Sequence, residues 1–381
     1  MKRLAMSTFI AATLGAASAA QAQSSVTLYG MLDEAVAYYN NVGHASLVEL
    51  QGGDYSGNQW GLQGKEDLGG GFRAIFKLEN GFNLNTGTLS QGGREFGKSA
   101  WVGLANDSLG SIRLGRQYDP TVDLIQPITA DRYSPAFSTP GDVDNNDNSF
   151  RVDNSIKYTS PTYGGLQYEL MYSLGGVAGN ISSQETSSVA ALYTRGGLSL
   201  AAGYVYAKND GVAGEGTADQ TQNNSVTPLF GDHPFVGSRL ISQAAAQYVV
   251  GPFTANVRYS NARWKPYANL VAFNRTETFN TGATSLAYRL SPAVLLDIGY
   301  DYTSSSGASS ATYQTVAAGT EYSLSVRTTL YAIGAYSHAH GTTFSQDGNS
   351  IVAAGGTVGD LQSSSSSPNQ VVLMLGTTTK F

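Results

Sequence analysis

The chain has 381 residues, with 22 Lys and Arg against 28 Asp and Glu, a net charge of −6 and no cysteine. That balance argues against a nucleic-acid binder, and the missing thiols exclude disulfide, thiol and Cys-ligated metal chemistry. Only 13% of residues are charged while Gly (45) and Tyr (23) are abundant, a composition of strands and turns rather than long helices.

The chain opens as an export signal. Lys2 and Arg3 precede an apolar, small-residue stretch over 4–17, and Ala20-Gln21-Ala22 supplies an A-x-A cleavage site. Residues 1–22 therefore read as a secretory signal peptide and 23–381 as the working protein. The apolar stretch is short for a spanning helix, and nothing after residue 22 holds the ~18 consecutive apolar residues that a helical span needs. Cleavage leaves a net charge of −8.

From residue 26 onward the pattern has period two. Alternating segments run over 26–38, 59–66, 71–83, 97–104, 111–118, 151–159, 166–173 and 187–194. They continue over 198–207, 238–249, 253–263, 278–289, 293–303, 312–322, 328–338 and 370–381, sixteen in all. The connections alternate in length. Those at 67–70, 105–110, 160–165, 195–197, 251–252, 290–292 and 323–327 are tight and carry Gly, Pro, Asn or Asp, as turns require. The others are longer and polar, among them 40–58, 84–96, 119–150, 209–237 and 339–369. In 166–173, Leu166, Tyr168, Leu170 and Tyr172 oppose Gln167, Glu169, Met171 and Ser173. In 71–83, Phe72, Ala74, Phe76 and Leu78 oppose Arg73, Ile75, Lys77 and Glu79. The signal is weak over 187–194 and 328–338, and Asp33 beside Glu34 interrupts it in the first segment.

An even number of strands, joined by short turns at one end and long connections at the other, predicts an all-β, 16-stranded antiparallel transmembrane β-barrel. Backbone groups in hydrocarbon must pair within a closed sheet, so the apolar parity faces lipid and the polar parity the interior. Tyr residues near strand ends suit the two interfaces. Sixteen strands enclose a water-filled channel, where about eight would be filled by side chains. A soluble β-sandwich or β-solenoid is the rival, but the long–short alternation is not expected of either.

The chain closes on VVLMLGTTTKF. Phe381, with Leu375, Leu373 and Val371 on the same parity, looks like the C-terminal assembly signal of outer-membrane barrels. SSVTLYG at 24–30, WGLQGKEDLGGGFRAIFKLENGF at 60–82, FGKSAWVGL at 96–104, LGRQYDP at 114–120 and RVDNSIKYTSPTYGGL at 151–166 occur in that order. Together they resemble the general porins of Gram-negative bacteria, nearest to the trimeric Burkholderia and Bordetella type. The resemblance implies a homotrimer in outer-membrane lipid, placed there by the barrel-assembly machinery. It implies passage of small hydrophilic solutes and ions by diffusion, with no cofactor and no catalysis. The alternative is a solute-specific channel of the same fold.

The resemblance also implies that the third long connection, 119–150, folds inward and narrows the lumen. It carries Asp123 and an expected acidic side of Asp131, Asp142, Asp144 and Asp147. The basic wall falls on Lys98 and Arg151, where the family commonly has arginine, with Gln59 as a neutral substitution at a third arginine position. Arg73 and Arg113 share the interior parity with Lys65, Lys77, Lys157 and Arg258, and these two extend the basic side, the alternative being a solvated wall or ion pairs with Glu79 and Glu169. Arg116, Trp60 and Trp101 are read on the lipid parity. Opposed charges around a narrow, wet waist favour one ion sign. With one arginine lost and several Asp kept, weak selectivity with a mild cation preference is expected.

Nothing in the sequence adds a catalytic constellation. His44, His233, His338 and His340 lie in loops or at a strand end with no nucleophile pattern. Gly69-Gly70-Gly71 is a turn with no helix after it, and GDVDNNDN at 141–148 lacks the central Gly and final Glu of a calcium loop.

Overall fold

The computed structural model describes residues 24–130, 133, 135–209, 218–220, 236–267, 271–345, 348–361 and 365–381. The signal-peptide segment 1–22, Asp131 and His233 lie outside the described residues. Sixteen described strands follow the alternating segments. They are β1 (Ser25–Val42), β2 (Gln59–Gly69), β3 (Phe72–Gly81), β4 (Ser99–Asn106), β5 (Gly110–Gln117), β6 (Phe150–Thr159), β7 (Leu166–Ser173) and β8 (Thr186–Arg195). The second half comprises β9 (Leu198–Lys208), β10 (Val236–Val250), β11 (Phe253–Pro266), β12 (Glu277–Ser291), β13 (Val294–Ser306), β14 (Ser310–Ser323), β15 (Thr328–Phe344) and β16 (Asn369–Lys380). Each pairs antiparallel with its neighbour, and β16 returns to β1 with Lys380 opposite Met31 and Val372 opposite Tyr39. The sheet is closed.

The last residue takes part in that closure. The Phe381 N–H donates to the Gly30 carbonyl at 3.0 Å, and the Gly30 N–H donates back at 3.1 Å. The Phe381 ring lies across Gly30, where a Cβ would stand 2.2 Å from a ring carbon. Gly30→Leu is therefore expected to evict the ring and cost about 1–3 kcal/mol, as overpacking does. The folded fraction on an unheated denaturing gel should fall; an unchanged fraction would show that the ring does not seal the seam.

Exposure follows parity. Val257, Ile298 and Leu375 are more than half exposed on the outer face, whereas Arg258, Asp297, Asp301 and Thr281 on the other parity are buried. Lipid takes the place of a covering layer. One connection departs from expectation. Residues 40–58 are not a plain loop: β1 runs to Val42, turns at Gly43 and His44 (both at positive φ), and pairs over 35–42 with an added strand, Ala45–Gln51. Leu47, Glu49 and Gln51 alternate with Val48 and Leu50, so the segment had a strand pattern of its own.

Asp33 explains the break in the β1 alternation. It is fully buried, and its carboxylate accepts the N–H groups of Gly53 and Tyr55, each at 3.1 Å, and the Tyr331 hydroxyl at 3.2 Å. Those bonds hold 52–58 back against the polar face of the wall.

Two more connections pack on that face. In 119–149 a five-residue helix, α1 (Pro120–Leu124), starts at Asp119, whose side chain accepts the Thr121 N–H at 2.8 Å. Short 3-10 turns follow. Asp144 pairs with Arg258 and accepts from Ser260, both on β11, and Gln243 of β10 donates to its carbonyl at 2.5 Å. The Phe137 ring seats against Gly299 of β13, where a Cβ would lie 2.7 Å away. Tyr133 and Phe137 join Leu295, Ile333, Val358 and Leu361 in one apolar cluster. The stretch 355–361 is tied in by the Gly141 N–H to the Gly359 carbonyl, 2.7 Å, and the Asp360 N–H to Ser138, 3.2 Å. The polar parity thus meets both water and folded-back chain.

Candidate functional site

The three folded-back segments leave a cavity of about 650 Å³ against the wall. Its lining includes Gln59, Lys98, Tyr118 and Arg151 together with Asp54, Asp147 and Asp360. Lys98 Nζ donates to Gln59 Oε1 at 2.6 Å, and Gln59 Nε2 reaches Glu79 at 3.4 Å, so the glutamine bridges a cation and an anion. Gly57 permits this: a Cβ there would stand 2.6 Å from Lys98 Nζ. Arg151 donates to the Tyr118 hydroxyl at 2.9 Å and to the Asn148 carbonyl at 2.7 Å, with its guanidinium 4.7 Å from the centre of the Tyr118 ring. Both cations are therefore held in place rather than free to sweep the space.

The expected acidic residues divide into different roles. Asp147 lines the cavity and accepts from Gln126 at 3.1 Å. Asp142 is buried, accepting the backbone N–H groups of Asp147 (2.9 Å) and Ser149 (3.0 Å), so it shapes the turn that presents Asp147. Asp144 is the tie to Arg258.

The basic residues divide likewise. Lys98, Arg151 and Gln59 come together. Arg113 lies beyond them, 3.0 Å from Glu169 and 3.6 Å from Asp123, which Lys157 also holds at 2.5 Å. Arg73 is not brought to this group. It pairs with Asp107 at 2.5 Å in the turn between β4 and β5, six residues and roughly 20 Å along the strand from Glu79.

Trp101 corrects an expectation. On β4 the exposed outer residues are Val102 and Leu104, so Trp101 takes the interior parity, with the Arg113 guanidinium 5.4 Å from its ring centre. The segment SAWVGLAN has almost no polar residue to fix its phase, which hid the assignment. Arg116 is buried, pairing with Asp153 at 2.5 Å and donating to the Gly97 carbonyl at 2.7 Å, beside a shift in register at the end of β5. Asp54 and Asp360 were missed altogether. Their signals were the Asp33 interruption for the first and Val358 with Leu361 in an otherwise polar connection for the second.

Burial raises the carboxyl groups of Asp54, Asp142 and Asp360, and neighbouring carboxylates add to it for the first two. Asp54 is pushed up by burial, Asp33 and Asp360, and Asp142 by burial, Asp360 and Asp144. Burial lifts Asp360 to about 6. Burial opposes ionisation of Asp123 too, but Lys157 and Arg113 outweigh it and hold that carboxyl below its usual range. A carboxyl raised in the folded state favours protonation there. It contributes stability fully below its ordinary value and loses it as pH rises through about 6. The charge follows the same window: acidification through about 6 strips negative charge from the cavity. The cation-to-anion permeability ratio, read from reversal potentials, should fall over that window, and Asp360→Asn should flatten the change. A pH-independent ratio in the unaltered protein would contradict this.

Among the described residues no group of three or more His, Asp or Glu could hold a metal ion. A family model described as Gram-negative porin matches residues 7–342. An outer membrane porin protein of Bordetella pertussis is 36% identical over 188 residues, 44% of this chain and 47% of that protein, so the chain spans about half the length of that relative. Among solved structures, an anion-selective porin from Comamonas acidovorans superposes with a TM-score of 0.73 at 21% identity, over 94% of this chain and all of that one. OmpT of Vibrio cholerae in its trimer form gives 0.66 at 15% identity, over 94% and 99%. These two are likenesses of fold. With the closed barrel and the family match together, the chain belongs to the Gram-negative porin family and is an outer-membrane β-barrel protein.

Proposed function

We propose that the protein is a general diffusion channel for small hydrophilic solutes and ions, with its waist at the cavity between Arg151 and Asp147. The observation that carries this reading is that cations, Lys98 and Arg151, and carboxyl groups, Asp54, Asp147 and Asp360, line one polar opening inside a closed barrel. Such a waist acts on charge and size and needs no reaction. Burial holds Asp54 toward its protonated form while Asp360 ionises above about 6, so positive and negative charge nearly balance and the channel is weakly selective, with a mild cation preference that grows as Asp360 ionises. Planar bilayers test both points: stepwise currents with a modestly cation-selective reversal potential are expected. No conductance would defeat the channel, and strong anion preference would defeat the selectivity.

The apolar outer faces and the trimer form of a structural neighbour support a homotrimer in outer-membrane lipid. Residues 1–22 act as the cleaved export signal, and Phe381 as the residue recognised by the barrel-assembly machinery. A second reading, a solute-specific channel, is favoured by one observation. Among the described residues four interior cations each sit by an aromatic ring: Lys77 by Tyr29 (5.7 Å), Arg113 by Trp101 (5.4 Å), Arg151 by Tyr118 (4.7 Å) and Arg239 by Phe150 (4.8 Å). Blockage of the ion current by one aromatic carboxylate at low concentration would favour that reading.

A further inference from the structure

Depth on the outer wall can be read from strand register. On β10–β14 the outward parity runs from Tyr248, Phe253 and Tyr288 near the short turns, through Val257 and Ile298, to Tyr259, Tyr300 and Tyr302. Beyond these tyrosines it turns hydroxyl- and amide-rich: Asn261, Asn280, Ser304 and Thr312 stand opposite one another in a single row. This is the order of an apolar band between two aromatic girdles, with the upper girdle on the side of the long connections.

Arg263 and Lys265 come next outward on β11, and both are exposed. Arg275, in the connection that follows, is exposed too. Among the described residues none of the three has an ion-pair or hydrogen-bond partner. The positions registered beside them are Leu240, Thr278 and Ser238, and no Asp or Glu occupies the outward parity of β10–β14. These cations face away from the lumen, so conduction and ion selection make no use of them. Arg263 lies four residues, or roughly 13 Å of strand, past Tyr259, which is headgroup rather than hydrocarbon height.

We propose that Arg263 and Lys265, supported by Arg275 and the hydroxyl row, bind the phosphate groups of lipids in the leaflet at the long-connection end. The guanidinium offers a planar fork for phosphate oxygens and the ammonium a point charge, while the neighbouring Ser, Thr and Asn complete the hydrogen bonds. A second copy of the chain is the poorer occupant, because the patch stands past the tyrosine row at headgroup height, where lipid phosphates lie in any case. The upper tyrosine row then does more than mark an interface: it sets the height at which the basic pair meets the headgroups.

Native mass spectrometry of the folded full-length mature protein tests this, using phosphatidylcholine nanodiscs with and without phosphatidic acid. The unaltered barrel should retain phosphatidic acid selectively. The double variant Arg263→Gln with Lys265→Gln should retain it roughly 10- to 30-fold less, the effect of two basic residues at a membrane surface. Lys265→Arg should preserve retention, and bilayer conductance should be the same in all three, which controls for folding. Equal retention in the double variant would overturn the proposal. So would displacement of the lipid by an equal concentration of inorganic phosphate, which would make this a soluble-anion site. A changed oligomeric state of the double variant in phosphatidylcholine alone would assign the patch to a second copy instead.

Discussion

Asp144→Ala is expected to free 119–149 from the wall, raising single-channel conductance and current noise and destabilising the fold by about 3 kcal/mol, the lower end for one half of a buried ion pair. Asp144 is fully buried; its carboxylate takes the Arg258 guanidinium, the Ser260 hydroxyl and the Thr139 hydroxyl, while Arg258 also donates to Thr139 at 2.8 Å. Removing the carboxylate strands a guanidinium between wall and loop. Lumenal water can reach it once the loop lifts, which limits the loss. The Gln243 bond to the Asp144 carbonyl, the Phe137 seat on Gly299 and the Asp123–Lys157 pair persist, so the segment should loosen rather than leave. A double variant, Asp144→Leu with Arg258→Met, separates charge burial from packing. Taking out both charges together is close to neutral for stability, so midpoint and conductance should return toward those of the unaltered protein. A single variant with unchanged midpoint and noise would show that this pair is not what holds the loop.

That anchor lay in the sequence only as one of several carboxylates in a long loop, and its role was out of reach there. Periodicity exposes what repeats: the sixteen strands were legible because each buries its backbone in the same way and alternates its side chains to do so. Even the weak segment 187–194 became β8, since its neighbours in the sheet fix it. Contacts between loops do not repeat. Asp54, Asp147 and Asp360 come from three connections separated by most of the chain, and they converge because Asp33, Asp144 and the Gly359 carbonyl each tie one segment down. Lys98, Arg151 and Gln59 were legible through family resemblance, because they sit at strand ends whose spacing is set by the barrel. Arg73 shares their parity but not their height. Parity is a one-dimensional signal, and depth along the strand decides which charges share a cavity.

Gln59→Arg is expected to shift the channel toward anions, lowering the cation-to-anion permeability ratio roughly two- to fourfold in dilute salt. The size follows from one unit charge about 10 Å from the ion path in water, which repels a cation and attracts an anion by about 0.4 kcal/mol each before screening. The position is sensitive because Gln59 now accepts from Lys98 at 2.6 Å and stands near Glu79, which already pairs with Lys77 at 2.8 Å. A guanidinium there removes Lys98's neutral acceptor and adds a second cation beside it. Glu79 offsets part of the new charge but is shared with Lys77, so a net positive change remains. Gln59→Leu is the control: it also takes the acceptor from Lys98 but adds no charge. If selectivity moves with arginine and not with leucine, charge at this position sets the ion preference. If both variants move it equally, the orientation of Lys98 matters instead, and Gln59 works as a clamp on a neighbouring cation rather than as a missing charge.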